Sequence, residues 1–160
     1  MAASICAVVP CDARHLRIVH EAIESLAVQT LAPTTISLRF SSMHFCPVRP
    51  KRLRHIRNLF TECTTKSESL GVVRDEAVKA CRGEEYITYL DGDDVALPYA
   101  LERMIALMRE RNASVGLHDY FGKQLGHPVK NHSQLLPYFR ADTLPPFALH
   151  AHMAHSTMHR

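Results

Sequence analysis

Much that would place this chain in a familiar class is missing from it. None of its five cysteines (Cys6, Cys11, Cys46, Cys63, Cys81) forms a C-x-x-C pair. That argues against a zinc ribbon and against a disulfide framework. The expectation is reduced thiols and a cytoplasmic location. No stretch approaches the roughly 20 apolar residues of a membrane span. The start of the chain has no basic n-region, and its apolar run over residues 5–9 is short. It reads as a buried strand, not a signal peptide. Repeats and low-complexity tracts are absent, and so is a large excess of one charge. Nineteen Lys and Arg stand against 16 Asp and Glu, a net charge of +3. Such a balance suits a phosphate-bearing ligand and does not call for nucleic acid.

What is present is ordinary for a soluble globular chain. At 160 residues it has the length of one domain, enough to bury a single core. Hydrophobic residues make up 46% and charged residues 22%. Residues 5–9 form a first strand, stopped at Pro10. Asp12 can cap a helix, and Leu16, Val19, Ile23 and Leu26 recur at helical spacing. Residues 34–40 alternate and are rich in β-branched types, a second strand. A short strand falls at 59–61. Leu70, Val73, Ala77 and Ala80 stripe a helix, with Gly83 past its end for a left-handed cap. Residues 86–90 are the next strand, and Pro98 opens a helix buried along Leu101, Met104, Ile105 and Met108. Further strands are expected at 114–120 and 147–153. This order implies an α/β fold, a mainly parallel sheet flanked by helices.

The densest basic run, residues 47–57, reads first as a solvated surface. An anionic acceptor or phosphate site comes second. Nucleic acid comes third, because no aromatic platform interleaves the charges.

The most informative stretch is Tyr86-Ile87-Thr88-Tyr89-Leu90-Asp91-Gly92-Asp93-Asp94. An apolar strand ends in three carboxylates. Ligands of open α/β sheets bind at the carboxyl ends of strands. Crowded anions there invite a hard divalent cation, which can bridge to a phosphate and steady it as a leaving group. Asp91 and Asp93, one residue apart, would share one side of an extended chain. An EF-hand is disfavoured, because Val95 and Ala96 occupy positions that its loop needs for a ligand and for glycine, Pro98 intrudes, and a strand and not a helix precedes the loop. A haloacid-dehalogenase-type phosphatase fits the local Asp-x-Asp-x-Val pattern, with Asp91 as nucleophile. It lacks the later acidic pair. A purely structural reading has Asp93 or Asp94 capping the helix near Pro98.

Taken together, residues 4–119 resemble the nucleotide-binding half of family 2 glycosyltransferases of the GT-A fold. The likeness rests on Val8-Val9-Pro10, on Glu24-Ser25-Leu26-Ala27-Val28-Gln29-Thr30, and on the stretch from Gly71 through Arg74-Asp75, Gly83-Glu84-Glu85-Tyr86 and Asp91-Gly92-Asp93-Asp94. The resemblance implies a metal-dependent transfer of sugar from a UDP- or GDP-sugar to a hydroxyl of a glycan, lipid or protein, with inversion. Asp93 matches the aspartate that ligates Mn²⁺ or Mg²⁺. Asp91 matches the one facing the nucleotide and is a second candidate ligand. Asp94 matches a position supporting the loop or meeting the donor sugar. Arg74 would stand near the donor, and Pro10, Cys11, Asp12, Ser41 and Gly92 would line the nucleotide. A late histidine often completes the metal site in this family; His150, His152 and His155 are all candidates, with His152 and His155 taken as the metal ligands. The likeness departs at the end of the second strand. An acidic pair that reads uracil is usual there, and this chain has Arg39-Phe40-Ser41-Ser42, leaving the base open. The implied organisation is one domain over 1–160. Residues 1–120 would bind the nucleotide-sugar and 121–160 would begin the acceptor side. A non-catalytic nucleotide-sugar-binding module is the reading from another class.

Overall fold

The computed structural model describes residues 3–43 and 53–117, with the backbone of 121–122, 130–131 and 157–159. Strand β1 (Ile5–Asp12) runs into a single 3-10 turn (Ala13–His15) and then helix α1 (Val19–Ala27). Strands β2 (Thr35–Ser41) and β3 (Leu59–Cys63), helix α2 (Leu70–Val78), strand β4 (Tyr86–Tyr89) and helix α3 (Ala100–Glu110) follow. Short strands β5 (Val115–Leu117), β6 (Phe121–Gly122), β7 (Lys130–Asn131) and β8 (Thr157–His159) complete the elements. The main sheet has the order β3-β2-β1-β4-β8-β5, and β6 pairs with β7 separately. Strands β3, β2, β1 and β4 are parallel, whereas β8 lies antiparallel between β4 and β5.

The period of two along β1 explains how both faces are filled. Ile5, Ala7, Val9 and Cys11 point into a large core with Val19, Ala22, Ile23 and Leu26 of α1 and Leu101, Met104, Ile105 and Met108 of α3. Cys6 and Val8 point the other way, where α2 contributes Ala77 to a much smaller cluster. Thus α1 and α3 cover one face and α2 the other. The α2 face is thin, and it is reinforced covalently. A disulfide joins Cys6 to Cys81, and the Ser37 hydroxyl donates to the Ala77 carbonyl at 2.7 Å.

That disulfide corrects the expectation of reduced thiols. Cys63 is disulfide-bonded as well, to a partner outside the described residues. Local spacing carried no signal, because the packing of α2 on β1 brings together cysteines 75 residues apart.

Other differences are small and physical. Leu16 stays exposed and α1 begins at Val19. Asp12 caps the 3-10 turn, accepting from the Arg14 N–H, and not α1. Ala80 falls past the end of α2. Gly83 does adopt a positive φ of 92°. Pro98 sits just ahead of α3, its carbonyl accepting from Thr30 N–H at 2.7 Å. In the basic run Leu53 and Ile56 are core while Arg54, His55 and Arg57 face solvent. Its described part is therefore an amphipathic turn. Of the expected strand at 114–120, residues 115–117 are extended. The expected strand at 147–153 lies outside the described residues.

Candidate active site

The carboxyl ends of β1, β2 and β4 lie side by side, because the register pairs Asp12 with Ser41 and Val8 with Tyr89. Beyond the last ladder pair, Leu90 N–H donates to Val8 O at 3.0 Å and Gly92 N–H to Pro10 O at 3.2 Å. The chain after β4 therefore runs against β1 as far as Gly92. A side chain at 92 would be crowded. A Cβ there would stand 3.0 Å from Cys11 Sγ and 3.2 Å from the Pro10 carbonyl oxygen. The chain then turns, with Asp94 N–H donating to Asp91 O at 3.0 Å. The turn replaces the extended geometry expected for Asp91 and Asp93. They reach the cavity from a tight loop, not from one face of a strand.

The two aspartates are treated differently. Arg74 Nη2 donates to Asp91 Oδ1 at 2.8 Å, and both side chains are largely buried, at 18% and 15% exposed. The same guanidinium lies over the Tyr89 ring at 5.5 Å. Helix α2 thus aims a fixed cation at the end of β4. Asp93 is 48% exposed, with His15 Nε2 3.7 Å from its Oδ2. In the phosphatase reading Asp91 would attack phosphorus. Here its oxygen is held by a guanidinium, which withdraws charge from that lone pair.

The loop carrying the aspartates is braced from α1. Ser25 Oγ accepts from Ala96 N–H at 3.0 Å. Gln29 is buried, donating to Leu97 O at 2.6 Å and accepting from Leu101 N–H at 3.2 Å. The Ser-Leu-x-x-Gln signature in the sequence therefore works as a clamp on residues 96–101. Tyr99 is the N-cap of α3 and makes no side-chain cap bond, so neither Asp93 nor Asp94 caps it.

A half-open cavity of about 360 Å³ occupies this edge of the sheet. Such a volume is in the range of small-ligand sites. Pro10, Cys11, Asp12, Ser41, Asp91, Gly92 and Asp93, all singled out from sequence, line it. Arg74 reaches it through Asp91, and Asp94 is not among the lining residues. His152 and His155 lie outside the described residues. Sequence reasoning missed Arg14, His15, Glu68, Leu70 and Val73. The first two follow Asp12 in a turn whose course depends on the sheet edge. Glu68 stands between β3 and α2 with no motif around it to mark it.

The electrostatics follow from these contacts. The Arg14 side chain and N–H both bond to Asp12 and hold its carboxyl below the usual value. Cys11 is buried, and burial with Asp12 alongside pushes its thiol up to about 12. It is not a nucleophile at neutral pH. A divalent ion suits this donor set in one particular way. Among the described residues no three His, Cys, Asp or Glu side chains converge to cage a metal. Asp93 offers an accessible carboxylate beside an imidazole. Ions such as Mg²⁺ are commonly held by one or two carboxylates plus substrate phosphates.

The comparisons with known proteins fit this geometry. The family model described as glycosyl transferase family 2 matches residues 55–160. No curated protein matches the chain. The crystal structure of S. aureus TarS 1-349 in complex with UDP is similar, with a TM-score of 0.61 and 20% identity over 79% of this chain. The complex of the same protein with UDP-GlcNAc gives 0.59 and 21% over 79%. These likenesses establish the GT-A fold. The chain spans 38% and 37% of the length of those two structures.

Proposed function

The chain belongs to glycosyl transferase family 2, and on that premise we propose that it transfers a sugar from a nucleotide diphosphate-sugar to a hydroxyl acceptor, with inversion and with Mn²⁺ or Mg²⁺ as cofactor. The carrying observation is the Asp91-Gly92-Asp93 turn at the sheet edge, with Asp91 held by Arg74 and Asp93 open to the cavity. Asp93 would hold the metal and Asp91 would face the nucleotide. When bound, the ion would neutralise charge developing on the diphosphate leaving group. Asp91, fixed by Arg74, can accept from a ribose hydroxyl. Gly92 lets the backbone approach closely, and the Ser25–Gln29 clamp keeps the loop still. The neighbours solved with UDP and UDP-GlcNAc favour a nucleotide-sugar donor. The domain reading carries over as part of the proposal: residues 1–120 bind the donor and 121–160 begin the acceptor side of one domain. The acceptor is a hydroxyl of a glycan, lipid or protein. Among the described residues no helix is long and apolar enough to cross a membrane. A cytoplasmic location was expected from free thiols, and the Cys6–Cys81 disulfide removes that support.

The test is calorimetric titration of UDP-, GDP- and dTDP-sugars with Mn²⁺ or with chelator, into wild type and Asp93→Ala. Metal-dependent binding of one class, lost in the variant, supports the proposal. Turnover on a hydroxyl acceptor distinguishes an enzyme from a binding module. Equal binding with chelator would refute metal dependence.

A further inference from the structure

We propose that His15, in the turn after β1, is a ligand of the metal held by Asp93, and that its imidazole makes the site prefer Mn²⁺ over Mg²⁺. The inference rests on the reading of this cavity as a metal-dependent nucleotide-sugar site, and it names the nitrogen donor of that site. It takes this role away from the histidines near the end of the chain.

Among the described residues, four carboxylates line the cavity: Asp12, Glu68, Asp91 and Asp93. Three of them are paired with a guanidinium. Arg14 holds Asp12 at 2.9 Å, Arg39 holds Glu68 at 3.3 Å and Arg74 holds Asp91 at 2.8 Å. A guanidinium only donates and has no lone pair for a metal. Asp93 differs, because it faces an imidazole. His15 Nε2 stands 3.7 Å from its Oδ2. A neutral imidazole keeps one nitrogen lone pair and is a metal ligand.

The separation itself favours a shared ion. It is longer than the roughly 2.7–3.2 Å of an N–H···O hydrogen bond. Two donors each about 2.1 Å from one ion stand about 3.0 Å apart at a right angle and about 4.2 Å apart when opposed. The observed 3.7 Å falls between these limits. Both side chains are partly open to solvent, at 29% and 48% exposed, so a hydrated ion can reach them.

Both arms are held from behind. Asp12 Oδ1 accepts from Arg14 N–H at 2.7 Å, and His15 O accepts from Ile18 N–H at 2.9 Å. Across the cavity, Gly92 N–H is tied to Pro10 O, and Asp94 N–H closes the turn onto Asp91 O. Because β1 and β4 are paired neighbours, the turn after one faces the loop after the other.

The donors decide the metal. Mg²⁺ takes oxygen ligands and dehydrates reluctantly. A transition ion such as Mn²⁺ gains more from an imidazole nitrogen. Asp93 alone would serve either ion, so His15 supplies the difference.

The experiment loads the protein with Mn²⁺ in the presence of UDP. Electron-spin-echo modulation reads nitrogen bound to the ion, in protein made with ordinary and with isotopically labelled histidine. Free Mn²⁺ is counted from its continuous-wave signal, with and without competing Mg²⁺. The proteins are wild type, His15→Ala, Asp93→Ala, and His152→Ala combined with His155→Ala, with melting temperatures recorded. Wild type is expected to show histidine nitrogen on the ion, in a signal that labelling alters. His15→Ala should abolish that signal, and the late-histidine variant should keep it. His15→Ala should also weaken Mn²⁺ at least about tenfold, since even a residue behind a ligand is typically worth about ten- to a hundredfold in metal affinity. Mg²⁺ should weaken less, so that the preference for Mn²⁺ narrows. Absence of histidine nitrogen in wild type, or a signal that survives His15→Ala, overturns the assignment. An unchanged ratio of Mn²⁺ to Mg²⁺ affinity in His15→Ala overturns the claim about preference. In those cases, Mn²⁺ binding that is lost in Asp93→Ala leaves the proposed metal site standing. If wild type binds Mn²⁺ no better than Asp93→Ala, the proposed metal dependence falls and the inference with it.

Discussion

Removing the Cys6–Cys81 disulfide should destabilise the protein more than any ordinary surface change. The bond closes a loop with a sequence separation of 75. The chain-entropy relation puts the stabilisation from such a loop at about 4.5 kcal/mol at 25 °C. A domain of this kind has about 5–15 kcal/mol in total, so the loss is a large fraction. The thin α2 face makes compensation difficult, since only Cys6, Val8 and Ala77 form its buried cluster. The perturbation is Cys6→Ala with Cys81→Ala, compared with wild type in urea without reductant, so that the bond at Cys63 is retained in both. With an m-value of about 2 kcal/mol/M the midpoint should fall by about 2 M. A fall of less than about 0.5 M would refute the reasoning and mean that packing alone holds α2 on the sheet. Nucleotide affinity, measured well below the new midpoint, should fall less than stability does, because the Ser37–Ala77 hydrogen bond still seats the helix that carries Arg74.

Other outcomes test the site more locally. Arg74→Ala removes the 2.8 Å ion pair to the largely buried Asp91 carboxylate and should cost about 1–3 kcal/mol, read by urea unfolding, with nucleotide affinity at least about tenfold weaker by calorimetry. Gly92→Ala forces a Cβ against Cys11 and the Pro10 carbonyl. It should cost about 1–3 kcal/mol and weaken metal-dependent nucleotide binding, whereas a neutral result would show that the loop can retreat from β1. Cys11 should resist alkylation at pH 8 until the protein unfolds. Its folded pKa, about 12, exceeds the ordinary thiol value of 9.0. The neutral thiol is the form that the fold favours, so its contribution is complete below pH 9 and is lost as pH rises toward 12. Cys11→Ala should flatten that part of the alkaline stability profile. Gln29→Ala removes three bonds between α1 and residues 97–101 or its own helix. Loosening of the aspartate loop should then appear as faster amide exchange at residues 96–101.

Period and punctuation made the elements readable. The apolar run of β1, the alternation along β2, the α3 stripe at 101, 104, 105 and 108, and the glycine at 83 are local consequences of backbone geometry. Nearest-neighbour physics places them without knowledge of the fold. The ordered motifs also located most of the cavity lining, because a loop at the end of a parallel strand has one place to go. Charged positions gave no such signal. Arg39, Glu62 and Glu68 form a charged triad only when β2, β3 and the start of α2 converge, and charges in a sequence look solvated until a partner is brought near.

The amino-acid sequence by itself determined the α/β class, the parallel core strands and the place of the Asp91–Asp94 cluster at the end of a strand, since these follow from local conformational preference and from hydrophobic period. Only the tertiary structure decided which cysteines meet, that Arg74 takes Asp91 while Asp93 stays open, that Ser25 and Gln29 brace the loop, and that Arg39 takes Glu68. Those facts depend on distances between segments far apart in the chain, and such distances exist only after the sheet has assembled.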